Sequence, residues 1–307
     1  MKILVVGTGA IGGFYGALLA QQGADVSVIC RSDFEQVKQH GFAINSRSLG
    51  NWNFKPTQVL KSVDDYKESA DYVLLCTKVI NTLDRVKLIE NAIKPETAIV
   101  FIQNGVEIEQ KLVDAFPDNE IISGLAFICS NRTAPGVISH QAYGRLFLGN
   151  LPSGISNKTQ KLCDVFNESG ITCRATEDIV TARWQKCIWN APFNPLSVLS
   201  DGLLTQDILQ TQETFVRQIM QEVFNIAAAT GHPLPSDTIA KNIANTYDMP
   251  PYKTSMLLDF EADRPMETDA ILGNAVQAGR REKVPCPCLE SIYALMQLKE
   301  LKLTQNS

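Results

Sequence analysis

The segment RWQKCIWNAPFNPL, Arg183 to Leu196, places Lys186, Asn190 and Asn194 four residues apart among tryptophan, isoleucine and phenylalanine. On an α-helix, residues at i, i+4 and i+8 lie along one stripe, so an ammonium and two amides would share one face of an otherwise apolar segment. Buried amides without partners cost roughly 1 to 3 kcal/mol each, so the stripe points to a face that meets a ligand rather than to a core. Trp184 and Trp189 flank the lysine, and desolvation by such neighbours lowers a lysine's pKa and eases proton donation. A cation placed this way can stabilise negative charge developing on an oxygen and then protonate that oxygen. The three histidines compete poorly for the role: His40 falls in a loop region, His140 in an expected hairpin and His232 in a Gly-His-Pro turn. Pro192 removes a backbone hydrogen bond and Pro195 disfavours helical geometry at Asn194, which predicts a kink or an end of the helix near Ala191 to Pro195.

A second set of residues lies at the other end of the chain. Lys2 to Val6 reads as a strand and leads into Gly7-Thr8-Gly9-Ala10-Ile11-Gly12, the spacing GxGxxG. Ala10 to Gln22 then reads as a helix, Gly23 sits where a C-terminal cap belongs, and Asp25 to Cys30 reads as a second strand. In a βαβ unit these glycines permit a tight turn, close approach to a pyrophosphate and close helix packing, while the helix N-terminus offers free N–H groups and a positive dipole end. The acid that would bind the ribose hydroxyls of NAD is missing after the second strand, where Arg31 and Ser32 stand instead. An arginine there pairs with a 2′-phosphate and a serine can donate to it, so the expected cofactor is NADPH.

Two further strands, Tyr72 to Thr77 and Ala98 to Ile102, end at Lys78 and at Gln103-Asn104-Gly105. Ligands bind outside the carboxyl ends of strands in an open parallel sheet, which makes Lys78 and Asn104 site candidates. Gly136 to Gly149 alternates like a hairpin and Gly170 to Arg174 looks like a closing strand. Beyond Asp178 the pattern turns helical, over Ile179 to Phe193, Gln212 to Thr230, Pro235 to Tyr247 and Cys288 to Leu303. The expected fold is therefore α/β: an N-terminal Rossmann-type dinucleotide-binding domain over residues 1–176, followed by an all-α C-terminal domain over 177–307. A cleft between two such domains is a common place for a substrate.

Bulk properties narrow the partners. With 307 residues, 45% of them hydrophobic, the chain can build two cores. A formal net charge of −5 and the lack of a like-charge block argue against a nucleic-acid partner. No apolar run approaches a membrane span and the N-terminus lacks a signal peptide, so a cytoplasmic location without a membrane partner is expected. Eight cysteines scattered singly, without zinc-site spacing, are expected to be reduced thiols and to hold no metal.

Taken together, these motifs resemble the ketopantoate reductases (2-dehydropantoate 2-reductases). The resemblance rests on GxGxxG, Lys78, Gln103-Asn104-Gly105, Trp184-x-Lys186-x3-Asn190-x3-Asn194-Pro195-Leu196, Thr254-Ser255-Met256-x-x-Asp259 and Arg264-x-x-Glu267-x-Asp269. It covers nearly the whole chain, and the lysine-asparagine segment is far more specific than the glycine loop. It implies that Lys186 is the proton donor and Glu267 an essential site residue, although Glu267 by itself also fits a helix-start carboxylate. It further implies that Asn190, Asn194 and Ser255 contact the substrate, and that Lys78 and Asn104 lie between cofactor and substrate. The reaction implied is NADPH-dependent reduction of 2-dehydropantoate to D-pantoate on the way to pantothenate. A related dehydrogenase acting on another 2-keto acid is the alternative within the family, and a non-catalytic NADPH-binding sensor is the alternative outside it. The expected partner is a small 2-keto acid, with a monomer and a homodimer both open.

Overall fold

The structure is a computed structural model that describes residues 1–306, with side chains through residue 302. The chain forms two compact units: Met1–Thr77, Asp84–Gln103 and Glu109–Ile179 make the first, and Lys78–Leu83, Asn104–Ile108 and the chain from Val180 onward make the second.

A sheet of ten strands, among the described residues, forms the first unit. Its central strands are parallel: β1 (Lys2–Val6) pairs with β2 (Asp25–Ile29) on one side and with β6 (Tyr72–Leu75) on the other, and β7 (Ala98–Ile102) pairs with β6. Every residue of β6 and β7 is buried, as expected of apolar runs covered on both faces. The two-residue strand β5 (Val59–Leu60) closes the edge beyond β2, while β3 (Phe42–Ser46) and β4 (Gly50–Phe54) form an antiparallel hairpin at the other edge. Helix α1 (Ala10–Gln21) buries Gly12 to Leu19, and its Phe14, Tyr15 and Leu18 join Val5, Val28 and Ile138 in one apolar core. A short helix, α2 (Phe34–His40), follows β2, so His40 ends a helix rather than lying in a loop.

The hairpin expected within Gly136 to Gly149 is a single strand, β9 (Val137–Asn150), and its antiparallel partner is the preceding strand β8 (Ile121–Ala134). Tyr143 and Gly144 have positive φ (64° and 111°), yet the ladder carries on across a register shift at Phe127/Ile128. Such irregularities bend a long strand without ending it. The short helix α3 (Gln110–Ala115) lies between β7 and β8; beyond β9 come α4 (Asn157–Glu168) and β10 (Cys173–Ala175), which pairs parallel with β9.

Helices build the second unit. α5 runs from Ile179 to Leu199 and contains both Pro192 and Pro195, so the end expected near Ala191 to Pro195 is overturned. Ala191, Phe193 and Val198 are fully buried in the core, and packing of this kind outweighs the hydrogen bonds that two prolines remove. α6 (Thr205–Ala229) is interrupted by non-helical geometry at Gln212; α7 (Thr238–Asp248), α8 (Ser255–Phe260), α9 (Asn274–Arg281) and α10 (Pro287–Asn306) follow. A π-helical turn at Asp269–Gly273 leads into α9.

The chain is not divided by a single cut. Val106 N–H donates to Ala270 O at 3.1 Å, Asn274 Nδ2 donates to Val106 O at 2.8 Å, and Arg281 pairs with Glu107 at 2.6 Å. These bonds tie the segment after β7 to the helical unit, which is why a boundary drawn along the sequence at 176/177 does not describe the packing. No helix among the described residues is long and apolar enough to cross a membrane.

Candidate functional site

In the first unit, the loop between β1 and α1 is fixed by backbone contacts. Gly7 has φ +94°, and a Cβ there would lie 2.6 Å from Thr77 N; a Cβ on Gly12 would lie 2.3 Å from Gly7 O. Neither position accepts a side chain without moving backbone. Thr8 Oγ1 donates to Ile29 O at 3.2 Å and so anchors the loop to the end of β2. Gly9, the residue before α1, has no atom within 4 Å of where its Cβ would stand, and the first turn of α1, beginning Ala10-Ile11-Gly12, has neither a side-chain cap nor an acidic residue. Free N–H groups facing open space at a helix N-terminus fit a pyrophosphate, so the loop fits a dinucleotide.

Arg31 is exposed at the end of β2. Its neighbour Ser32 behaves otherwise than expected: its hydroxyl donates to Asp33 Oδ1 at 2.9 Å and accepts from Arg132 Nη1 at 2.9 Å. In this arrangement the one hydroxyl proton of Ser32 is directed at Asp33. Asp33 itself is buried; burial pushes its carboxyl up, but hydrogen bonds from Gly136 N–H, Ser32 and Arg132 hold it below the usual carboxylate range.

The lysine-asparagine stripe belongs to the second unit. Because α5 continues to Leu199, Lys186, Asn190 and Asn194 remain on one helical stripe. Lys186 Nζ donates to Asn104 Oδ1 at 2.8 Å, and Asn104 Nδ2 donates to Glu267 Oε2 at 2.8 Å. The second oxygen of Glu267 accepts Val79 N–H at 3.1 Å. One part-buried relay thus joins three candidate residues from three distant parts of the sequence. Lys78 sits beside it, donating to Pro265 O at 2.8 Å and pairing with Asp259 at 2.7 Å, while Arg264 meets the same carboxylate at 3.0 Å.

Lys186 is only partly covered as a residue, but its ammonium lies deep among protein atoms. Burial pushes its pKa down from 10.5 to about 8; the nearby Arg183 charge adds to the lowering, and Glu267 opposes it. Arg183 is almost wholly buried and donates to Gly105 O at 3.1 Å. Its part in the site was legible only as a charged residue three positions before Lys186, and it drew no assignment.

Asn190 and Asn194 are 7% and 2% exposed, and among the described residues no protein group hydrogen-bonds either amide. Ser197, one turn beyond Asn194, donates to Asn194 O at 2.8 Å and shares a 2.7 Å hydrogen bond with Thr254 Oγ1. Thr254 caps α8 by accepting from Leu257 N–H at 3.1 Å. The Ser197–Thr254 pair therefore links the Asn194 end of α5 to Ser255, which is exposed at the first position of α8. Sequence reading assigned nothing to Ser197, Thr254 or Asp259, although Thr254 and Asp259 stood in a recognised motif.

The histidines take no part in this cluster. His140 is buried, hydrogen-bonded to Ser46 Oγ at 2.8 Å and packed on Phe14, and His232 pairs with Thr181 at 2.9 Å. All eight cysteines are free thiols, and no group of three metal-ligating side chains occurs among the described residues.

A parallel-centred sheet with a glycine phosphate loop, together with a helical unit that carries a lysine, asparagine and glutamate relay, defines a dinucleotide-dependent oxidoreductase. Residues 3–153 match the sequence model of ketopantoate reductase PanE/ApbA, and residues 178–300 match that of the ketopantoate reductase PanE/ApbA C terminal. The chain belongs to the ketopantoate reductase family. A 2-dehydropantoate 2-reductase of Nostoc sp. is 33% identical over 298 residues, covering 95% of this chain and 93% of that protein. A crystal structure of 2-dehydropantoate 2-reductase from Methylococcus capsulatus is 60% identical, covers 99% of this chain and 98% of its own, and superposes with a TM-score of 0.95. The ternary structure of D-mandelate dehydrogenase with NADH and anilino(oxo)acetate is 25% identical, covers 99% of this chain and 100% of its own, and has a TM-score of 0.89.

Proposed function

We propose that the protein reduces 2-dehydropantoate to D-pantoate with NADPH, the step on the way to pantothenate. The observation that carries this reading is the Lys186–Asn104–Glu267 relay, supported by the 60% identity to the Methylococcus capsulatus 2-dehydropantoate 2-reductase. The Gly7 to Gly12 loop holds the cofactor's pyrophosphate and Arg31 its 2′-phosphate. NADPH supplies a hydride to the keto carbon.

Lys186 Nζ hydrogen-bonds the keto oxygen and passes it a proton as negative charge develops there. A donor with a pKa of about 8 is still about 90% protonated at pH 7, and it gives up its proton more readily than an ordinary lysine. Asn104 accepts one N–H of the ammonium and so orients it. Glu267 fixes the Asn104 amide by accepting from Nδ2, and its charge keeps Lys186 protonated against the cost of burial. The Asn190 and Asn194 amides and the Ser255 hydroxyl bind the polar groups of the keto acid. Lys78, held by Asp259 and Pro265 O, steadies the segment that leads into Glu267.

The D-mandelate dehydrogenase relative with bound NADH favours a second reading, in which another 2-keto acid is the substrate. The two are separated by following NADPH oxidation by absorbance with ketopantoate beside pyruvate, 2-ketoisovalerate and phenylglyoxylate. The proposal expects kcat/KM for ketopantoate to exceed the others by about a hundredfold or more, since a site that hydrogen-bonds a substrate hydroxyl discriminates against acids that lack it. A clear preference for another acid would move the assignment to the second reading. Absence of turnover with all four would favour a cofactor-binding sensor.

A further inference from the structure

We propose that Arg132, on β8, is the second cation that holds the cofactor's 2′-phosphate and that it acts with Arg31 to select NADPH over NADH. The inference rests on the NADPH reading given above. Three observations carry it. First, Ser32 has spent its hydroxyl proton on Asp33, so the pocket after β2 needs a donor besides Arg31. Second, Arg132 Nη1 reaches Ser32 Oγ at 2.9 Å and pairs with Asp33, which places this guanidinium beside the residue that follows Arg31. Among the described residues its Nε and Nη2 have no protein partner, and together they carry three N–H donors in a planar fork suited to phosphate.

Third, the ion pair solves an electrostatic problem. A carboxylate two residues past Arg31 would repel a phosphate dianion, yet Asp33 is only 3% exposed, and besides Ser32 and Arg132 it accepts Gly136 N–H at 2.9 Å. Arg132 neutralises the Asp33 charge and fills the place with an arginine, leaving Arg31, Asp33 and Arg132 with a net positive charge. In sequence Arg132 lies 99 residues from Asp33, so no motif around β2 reveals it. It is a specificity-determining residue, with no part in proton or hydride transfer.

The test is equilibrium binding of NADPH and of NADH to the purified protein, read by nucleotide fluorescence, for wild type, Arg31→Ala and Arg132→Gln. Arg132→Gln is expected to raise the Kd for NADPH by about tenfold or more and that for NADH by less than about twofold, since one charge-assisted phosphate contact is lost. Equal weakening of both nucleotides would mean that Arg132 only braces Asp33, and no weakening of either would mean that it does not meet the phosphate; each result overturns the inference. If Arg132→Gln does not fold, Arg132→Lys keeps the ion pair but replaces the fork by a point charge. A loss of about threefold, confined to NADPH, then supports the assignment, and equal or absent losses overturn it. Wild type that binds NADH as tightly as NADPH would refute the underlying NADPH reading. A wild-type preference lost in Arg31→Ala but kept in the Arg132 variants would refute the role of Arg132 alone.

Discussion

Replacing Glu267 by glutamine probes how the relay sets the acidity of its proton donor. Glu267 reaches Lys186 through one amide and two hydrogen bonds of 2.8 Å, so the charges stand about 7 Å apart and attract by about 2 kcal/mol at an effective dielectric near 20. Solvent at the partly exposed Glu267 screens part of this, leaving about one pH unit of support for the ammonium. Without the glutamate, burial and Arg183 act unopposed and the pKa falls further below its value of about 8. The donor must be protonated to work, so kcat/KM holds at low pH and falls as the pH rises through this pKa. Glu267→Gln should therefore move the falling limb about one unit toward acid. Glutamine also offers one acceptor where Glu267 has two, so either Asn104 Nδ2 or Val79 N–H loses its partner, and the low-pH plateau should drop about tenfold or more. The assay is NADPH oxidation with ketopantoate from about pH 6 to pH 10 for both proteins. A folded, active Glu267→Gln enzyme whose limb stays at the wild-type position would refute the argument that Glu267 supports the charge on Lys186.

Two other substitutions separate the cofactor loop from the substrate stripe. Gly7→Ala forces a Cβ to within 2.6 Å of Thr77 N at φ +94°, and should cost about 2 kcal/mol or more of stability and weaken NADPH binding; thermal unfolding indistinguishable from wild type would contradict the close contact. Asn194→Ala should raise the KM for the keto acid about tenfold and leave the NADPH Kd alone, and steady-state kinetics with an unchanged KM would remove Asn194 from the substrate site.

Much of this arrangement was legible because it is local. The β1–α1–β2 unit follows from a strand, a glycine spacing and an alanine-rich helix that adjoin in sequence, and the Lys186–Asn190–Asn194 stripe follows from helical periodicity alone. The relay was not legible from spacing, since Asn104 and Glu267 lie 163 residues apart, and Glu267 was named only through the family resemblance. Proline chemistry left a kink or an end open in α5, and the end does not occur, because burial of Phe193 and Val198 carries the helix through Pro192 and Pro195. The pocket after β2 was misread at Ser32 because its partner Arg132 comes from 100 residues further along the chain. Local rules report what a residue can do, whereas packing decides which partner takes up that capacity.

The claim at the centre of this account is that Lys186 delivers the proton. The most direct test compares Lys186→Ala with wild type for ketopantoate turnover and, on the same preparations, for NADPH affinity. A loss of about a thousandfold in kcat with the NADPH Kd changed by less than about twofold is the predicted result, since positioned general acids contribute about that much. Turnover within about tenfold of wild type, at unchanged cofactor affinity, would contradict the role of Lys186 as the acid.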